Sequence, residues 1–172
     1  MSGKSEASEK EIEPQKKKAK VEDNIKAIKF NEFLMENNIS IFSSESMDDE
    51  MNTVLFRSRI EAKGQILPTV IIIDASIFTI IRTQIVGGIE EEKRAHIIDY
   101  LNCLNMQYKI FKYYLRPDGF LFLDMCIPFM DDAFDPRTVH LMLGILVQHL
   151  QDVYEDFMEH VWAKEEGKRT SS

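Results

Sequence analysis

Apolar and polar positions follow two different periods along the chain, and each change of period marks a predicted element. Over residues 24–37 apolar side chains recur every three to four positions, which predicts a helix capped by Asp23 or Asn24. Over residues 53–60 the period becomes two, which predicts a strand with one apolar face and with Arg57 and Arg59 on the other. The acidic stretch 43–50 between them is predicted to be a loop or a frayed hairpin arm.

Two more strands and a helix follow. Residues 66–73 include a β-branched run, which favours a central strand covered on both faces. Residues 78–86 form the next predicted strand, and Gly87 with Gly88 ends it. Three glutamates then complement the first turn of a helix that is predicted to run to Asn105. Its predicted apolar stripe is Ala95, Ile98, Leu101, Leu104 and, on the flank, Cys103.

The second half predicts a hairpin and a long helix. Strands at residues 109–116 and 120–127 are joined by a turn in which Pro117 fixes φ and Gly119 supplies a positive φ. Asp135 followed by Pro136 is typical of a helix start. The apolar stripe from that point continues for more than six turns.

This order of elements predicts the fold class. We expect an α+β protein with the order α-β-β-β-α-β-β-α, in which one mostly antiparallel sheet of about five strands carries helices on one face.

Composition limits the class of protein. The 172 residues are 44% hydrophobic and 29% charged, with a formal charge of -8, which is ordinary for a globular domain and unfavourable for general phosphate binding. Two cysteines exclude a multi-disulfide scaffold. We expect disordered ends at residues 1–22 and 164–172, one domain over residues 23–163, no membrane span and a cytoplasmic location.

One stretch resembles a known family. It comprises residues 91–94, the segment 100–105 (YLNCLN), the segment 110–115 (IFKYYL), the turn at Asp118 and Gly119, and residues 120–123. These resemble the YbjN-like family of small bacterial proteins, labelled sensory-transduction regulators, whose fold is similar to that of type III secretion chaperones. The resemblance covers about residues 25–161, and the family offers no catalytic residues to carry over. It implies a non-enzymatic binding role and, because secretion chaperones are homodimers that hold an extended client segment, a homodimer.

Candidate chemical sites are weak. His96, His140, His149 and His160 lack the close spacing of metal ligands on one helix, and they are interpreted as boundary residues. Cys103 and Cys126 are interpreted as buried small hydrophobes rather than reactive thiols. The acidic residues at 48–50, 131–132 and 135 lack the spacing of a calcium loop and are interpreted as solvated loop charge. We therefore expect no catalytic residue, no metal and no cofactor.

The most informative feature is an excess of apolar surface. Leu121, Leu123, Met125 and Ile127 occupy one face of their strand, and the other face carries Phe120, Phe122, Asp124 and Cys126. Leu141 and Ile145 lie outside the main stripe of the last helix. Large exposed apolar patches usually mark interfaces. The candidate interface therefore consists of Phe120, Phe122, Cys126, Leu141 and Ile145, and the alternative is that a helix or the N-terminal segment covers them.

These observations favour a protein-binding module, chaperone-like or regulatory, that acts as a homodimer on a partner protein or peptide. Two other classes stay open at this point. One is a small enzyme whose site is assembled only in the fold, and the other is a nucleic-acid-associated regulator that acts through Lys16, Lys17, Lys18 and Lys20. Glutamates interleave that basic stretch upstream, and Glu22 follows it, so a solvated segment is favoured over a nucleic-acid site.

Overall fold

A computed structural model describes residues 24–129 and 131–162 of the chain. Both predicted disordered ends, at residues 1–22 and 164–172, lie outside that part. In chain order the elements are α1 (Ile25–Glu36), β1 (Ser43–Ser46), β2 (Val54–Ala62), β3 (Gln65–Ile73), β4 (Phe78–Val86), α2 (Arg94–Gln107), β5 (Lys112–Leu115), β6 (Leu121–Pro128) and α3 (Pro136–Trp162). The predicted α+β class is confirmed.

All strands form one antiparallel sheet in the order β1-β2-β3-β4-β6-β5. The sheet has six strands rather than the predicted five, because β1 lies in the stretch predicted to be a loop or a frayed hairpin arm, and it pairs with β2 as the arm of a hairpin. The sequence of β1 is SSES, which has no apolar alternation to reveal a strand. Its pairing with β2, with Ser43 opposite Arg57 and Ser46 opposite Val54, makes it a strand.

The helices cover one face of the sheet, and the core lies between them. The covered face carries alternate residues of each strand, including Phe56, Ile71, Ile81, Leu123 and Met125, each at most 1% exposed. Within the described residues no helix lies on the opposite face. The expectation that residues 66–73 would be covered on both faces is therefore wrong, and Val70 and Ile72 are only half-buried.

The register of α2 differs from the prediction. Its buried residues are Ile97, Leu101 and Leu104, whereas Ala95 and Ile98 face outward. Ile97 and Ile98 are adjacent, so the sequence is compatible with an apolar stripe through either residue. Packing of α2 against β5 and α3 buries Ile97. The helix also continues past Asn105 to Gln107.

Asn105 closes one edge of the sheet. Its side-chain amide donates to the backbone oxygen of Tyr113 at 3.0 Å, and its oxygen accepts from the Tyr113 backbone N–H at 2.7 Å. The Asn105 amide thus replaces a neighbouring strand at the exposed edge of β5, where free backbone groups would otherwise invite another strand.

The predicted turn and helix start are confirmed. The Arg116 N–H donates to the Phe120 oxygen, the Gly119 N–H donates to the Arg116 oxygen, and Gly119 has φ +79°. Pro136 is the first residue of α3, and the Asp135 carboxylate before it caps the helix by accepting a hydrogen bond from the Arg137 backbone N–H at 2.9 Å. Over its 27 residues, about 40 Å at 1.5 Å each, α3 buries eight side chains against the other elements.

Candidate binding surface

The face of the sheet opposite the helices is called the open face. Its side chains form rows that cross the strands, and the register fixes which residues are neighbours. One row holds Leu55, Ile72, Ile80 and Cys126, and the next holds Arg57, Val70, Arg82, Asp124 and Lys112. The open face is therefore apolar with charged side chains at defined positions.

A groove of about 880 Å³ lies on the open face. Pro68, Val70 and Phe122 supply its apolar contacts, and Ile41, which is 61% exposed, stands in the segment before β1 that forms one wall. Exposed apolar surface of this kind is unfavourable in water, so burying it under a partner stabilises the complex.

Three arginines line the groove: Arg57 and Arg59 on β2 and Arg82 on β4. No Asp or Glu is among the described lining residues. Arg57 pairs with Glu45 and Arg82 pairs with Asp124, so among the described residues Arg59 supplies the unpaired positive charge of this lining. An unpaired guanidinium in a groove favours a partner with negative charge.

A partly buried ion pair holds Arg82 in place. Its Nε and Nη2 atoms donate to the two carboxylate oxygens of Asp124 at 2.8 and 2.7 Å, and the Tyr114 hydroxyl donates to the same carboxylate at 3.2 Å. The Asp124 hydrogen bonds raise the pKa of Arg82. Burial, together with the Asp124 charge, raises the pKa of Tyr114 to about 12. Arg82 and Tyr114 therefore keep their protons throughout the physiological range.

The other two arginines are less constrained. Arg57 Nε donates to the Glu45 carboxylate at 3.0 Å, and both side chains of this pair are more than half exposed. Arg59 makes no side-chain hydrogen bond and no ion pair with any described residue. Its five N–H donors are therefore available to a ligand.

The residues of the predicted interface are not brought together. Phe122 and Cys126 lie on the open face, and the Phe122 ring stacks on Tyr114 at 5.7 Å between centroids. Phe120 lies just before β6, with its ring against the backbone of Gly87. Leu141 and Ile145 are exposed on α3, which packs on the opposite face of the sheet. The set therefore divides into an open-face group and an α3 group.

The interpretation of the two cysteines as buried is wrong. Cys103 and Cys126 are both free and exposed. Cys103 lies on the outer side of α2, because the helix buries Leu101 and Leu104 instead. Cys126 lies on the open face of β6, between the buried Met125 and Ile127. Their exposure follows from the face each residue occupies.

His149 is not a boundary residue, since it is buried. Its ring stacks on Phe111 at 4.0 Å between centroids, and its Nε2 atom is hydrogen-bonded to the Tyr113 hydroxyl. His160 stacks on Tyr100 at 4.1 Å, and His96 is exposed. No group of three His, Cys, Asp or Glu side chains within residues 24–129 and 131–162 is placed to hold a metal ion.

Burial gives His149 a testable pH dependence. Desolvation lowers the pKa of His149, partly opposed by the Asp152 charge, so the folded protein binds this proton only at a lower pH than the unfolded chain does. The stabilisation is complete above about pH 6.5 and is lost as the pH falls below it, by at most about 1.4 kcal/mol per pH unit. We expect urea unfolding to give a shallower pH slope for His149→Phe than for the wild type between pH 5 and 8. Equal slopes for His149→Phe and the wild type would contradict the assignment.

Two of the acidic residues have local structural roles. The Asp49 carboxylate accepts from the backbone N–H groups of Thr53 at 3.0 Å and Met51 at 3.1 Å, and these bonds, led by Thr53, lower its pKa. The Asp135 carboxylate caps α3, and its bonds from Arg137 lower its pKa. Both carboxylates thus stabilise local backbone. The side chain of Asp131, from the second acidic stretch, lies outside the described part, as does that of its neighbour Met130.

Sequence patterning does not predict the arginine groove as a site. The alternation of β2 sets Arg57 and Arg59 opposite its apolar face, and the alternation of β4 does the same for Arg82. The missing information is the order and register of the strands, which bring the three side chains to one groove. The signal present in the sequence is the arginines themselves, which stand at alternate positions on the polar faces of β2 and β4.

Comparisons with known proteins give no relative. No protein-family model, no curated protein and no solved structure matches the chain. The resemblance to the YbjN-like family therefore stays a prediction. No helix within residues 24–129 and 131–162 is long and apolar enough to cross a membrane.

Proposed function

We propose that this protein is a non-enzymatic binding module, chaperone-like or regulatory, that holds a segment of a partner polypeptide on its open face. The observation that carries the proposal is that the two faces of the sheet differ in coverage. The helices cover one face, and the other exposes a groove with an apolar floor and three arginines. We also propose, on the resemblance alone, that it works in the cytoplasm of a bacterium.

The dimensions of the groove suit an extended segment. It reaches from β2 to β6 across three strand spacings, about 14 Å at 4.8 Å each, and is open along its length. An extended chain occupies about one strand spacing, 4.8 Å, so a segment that runs along β2 leaves room on the groove floor for side chains that reach toward β6. The face is a better docking place than the β5 edge, because Asn105 already occupies the backbone groups of Tyr113 there.

A homodimer stays a prediction, and the charges limit how it would form. Two copies that met through their open faces would bring arginines near arginines, which is unfavourable in a desolvated interface. Leu141 and Ile145 lie one helical turn apart on α3 and carry no charge, so the α3 group fits a contact between copies better. The partner polypeptide and the second copy of the chain would then bind opposite sides of the molecule.

The small enzyme and the nucleic-acid regulator are the competing classes of function. The basic stretch on which the latter depends lies outside the described residues. No contact in the described part favours either class over a polypeptide-binding face.

A peptide-display selection on the immobilised full-length chain tests the proposal. We expect a random library of twelve-residue peptides to yield binders that lose about tenfold or more in affinity with Phe122→Asp, because the new charge would be buried on binding. Leu141→Asp is the matched control on the other side of the molecule and should leave affinity unchanged. Binders that ignore Phe122→Asp, or a library that yields none, would contradict the proposal.

A further inference from the structure

We infer that the segment held on the open face is extended and acidic, with carboxylates at alternate positions that pair with Arg57, Arg59 and Arg82. The inference rests on the proposed function and adds the chemistry of the partner. Its basis is the geometry of three guanidinium groups in one groove: Arg59 has no carboxylate partner in the described part, and Arg57 and Arg82 keep N–H donors that their carboxylate partners do not use.

The spacing of the arginines matches an extended peptide. Arg57 and Arg59 are two residues apart on β2, so their Cα atoms are separated by about 6.6–7 Å. Side chains at positions i and i+2 of an extended ligand point the same way with the same separation. Arg82 lies in the row of Arg57 two strands away, about 9.6 Å across the sheet. A ligand that runs along β2 can therefore meet two arginines with alternate carboxylates, and a side chain reaching across the sheet can meet the third.

Enough donors remain free to bind such a ligand. Arg59 has no partner among the described residues, and Arg57 uses only its Nε for Glu45. Arg82 uses Nε and Nη2 for Asp124, which leaves its Nη1. The rigid fork of a guanidinium suits carboxylates, because both groups are planar and can form two parallel bonds.

The apolar floor makes these pairs stronger than ordinary surface pairs. Val70 lies between Arg57 and Arg82 in one row, and Pro68 lies opposite Arg59. A peptide over these residues excludes water from the arginines, and charges attract more strongly where the local dielectric is low. A second copy is disfavoured as the occupant, because it would bring its own arginines.

The test compares the sequences that the display selection returns. We expect Asp and Glu to be enriched over the library average, with spacing of two preferred over spacing of three or four. For a synthetic peptide of the most enriched sequence, Arg59→Glu should weaken binding about tenfold or more. Arg59→Lys should weaken it less, because the charge is kept and the fork is lost. Raising NaCl from 50 to 500 mM should also weaken binding.

The control is a charge change outside the groove. Arg137 is exposed at the start of α3, so Arg137→Glu alters the net charge of the chain by the same amount as Arg59→Glu. The inference predicts no change in affinity for Arg137→Glu. Equal weakening by both variants would mean that net charge alone steers the peptide, and it would overturn the groove pairing.

The remaining outcomes separate this inference from the proposed function. Peptides that lose affinity with Phe122→Asp but show no acidic enrichment would overturn the acidic partner and leave the binding face in place. Equally effective displacement by a single-stranded oligonucleotide would overturn the acidic segment in favour of a general polyanion. Acidic peptides that bind only after E6Q, E9Q, E11Q and E13Q together would make the occupant the chain's own N-terminal segment. Binders unaffected by both Phe122→Asp and Arg59→Glu would overturn the proposed function itself.

Discussion

Phe56→Ala is expected to lower the free energy of unfolding by about 3–5 kcal/mol. Phe56 lies on the covered face, is 1% exposed and contacts the Phe30 ring edge-to-face at 4.9 Å between centroids. Removing its ring leaves a cavity between β2 and α1 that the surrounding side chains can fill only in part. Urea unfolding followed by circular dichroism measures the loss.

Phe78→Ala is the matched control on the other face of the sheet. Phe78 begins β4 on the open face and is 45% exposed, so the same substitution should cost less than about 1 kcal/mol. Comparable losses for the two variants would mean that both faces are equally covered. That result would contradict the asymmetry on which the proposed function depends.

Asp124→Ala is expected to lower the free energy of unfolding by about 2–3 kcal/mol. Asp124 is buried on the open face and accepts hydrogen bonds from both Arg82 and Tyr114. Removing one partner of a buried ion pair costs about 3–5 kcal/mol, because it leaves a charge without compensation. We expect the lower figure because the Arg82 side chain is 36% exposed, so water takes over part of the lost interaction.

A second ion pair in the same sheet tests whether exposure to water reduces the cost of losing a partner. Glu45→Ala removes the partner of Arg57, but both side chains of that pair are more than half exposed, so the loss should stay below about 1 kcal/mol. The double variant Arg82→Leu with Asp124→Leu should recover much of the stability lost in Asp124→Ala, since no unpaired charge remains. A double variant as unstable as the single one would show that Asp124 acts through something other than its pairing with Arg82.

Local sequence chemistry is sufficient for some elements of the fold. The predictions of the turn at Gly119 and the capped start of α3 are correct, because each depends on residues within a few positions of each other. The alternation predicted for β6 is also correct, since Leu121, Leu123, Met125 and Ile127 are all buried. These features require no knowledge of distant parts of the chain.

Features that depend on distant contacts escape sequence patterning or are assigned to the wrong face. Ile97 and Ile98 are equally apolar, and only the position of β5 and α3 decides which is buried. The exposure of Cys126 depends on the absence of a helix over its face in the described part. The arginine groove requires the pairing of β2 with β3 and of β3 with β4, a register that alternation within single strands does not supply.

Thiol labelling with a bound peptide tests the central claim, that the open face is the binding surface, most directly. The chain has two cysteines, with Cys103 on the outer side of α2 and Cys126 on β6 outside the groove lining. In a Cys126→Ser background, Val70→Cys places a thiol on the groove floor between Arg57 and Arg82. We expect a saturating selected peptide to slow alkylation at position 70 by iodoacetamide severalfold and to leave Cys103 unchanged, as read by mass spectrometry of the two tryptic peptides. Protection of Cys103 without protection at position 70, or no protection at either position, would contradict the account.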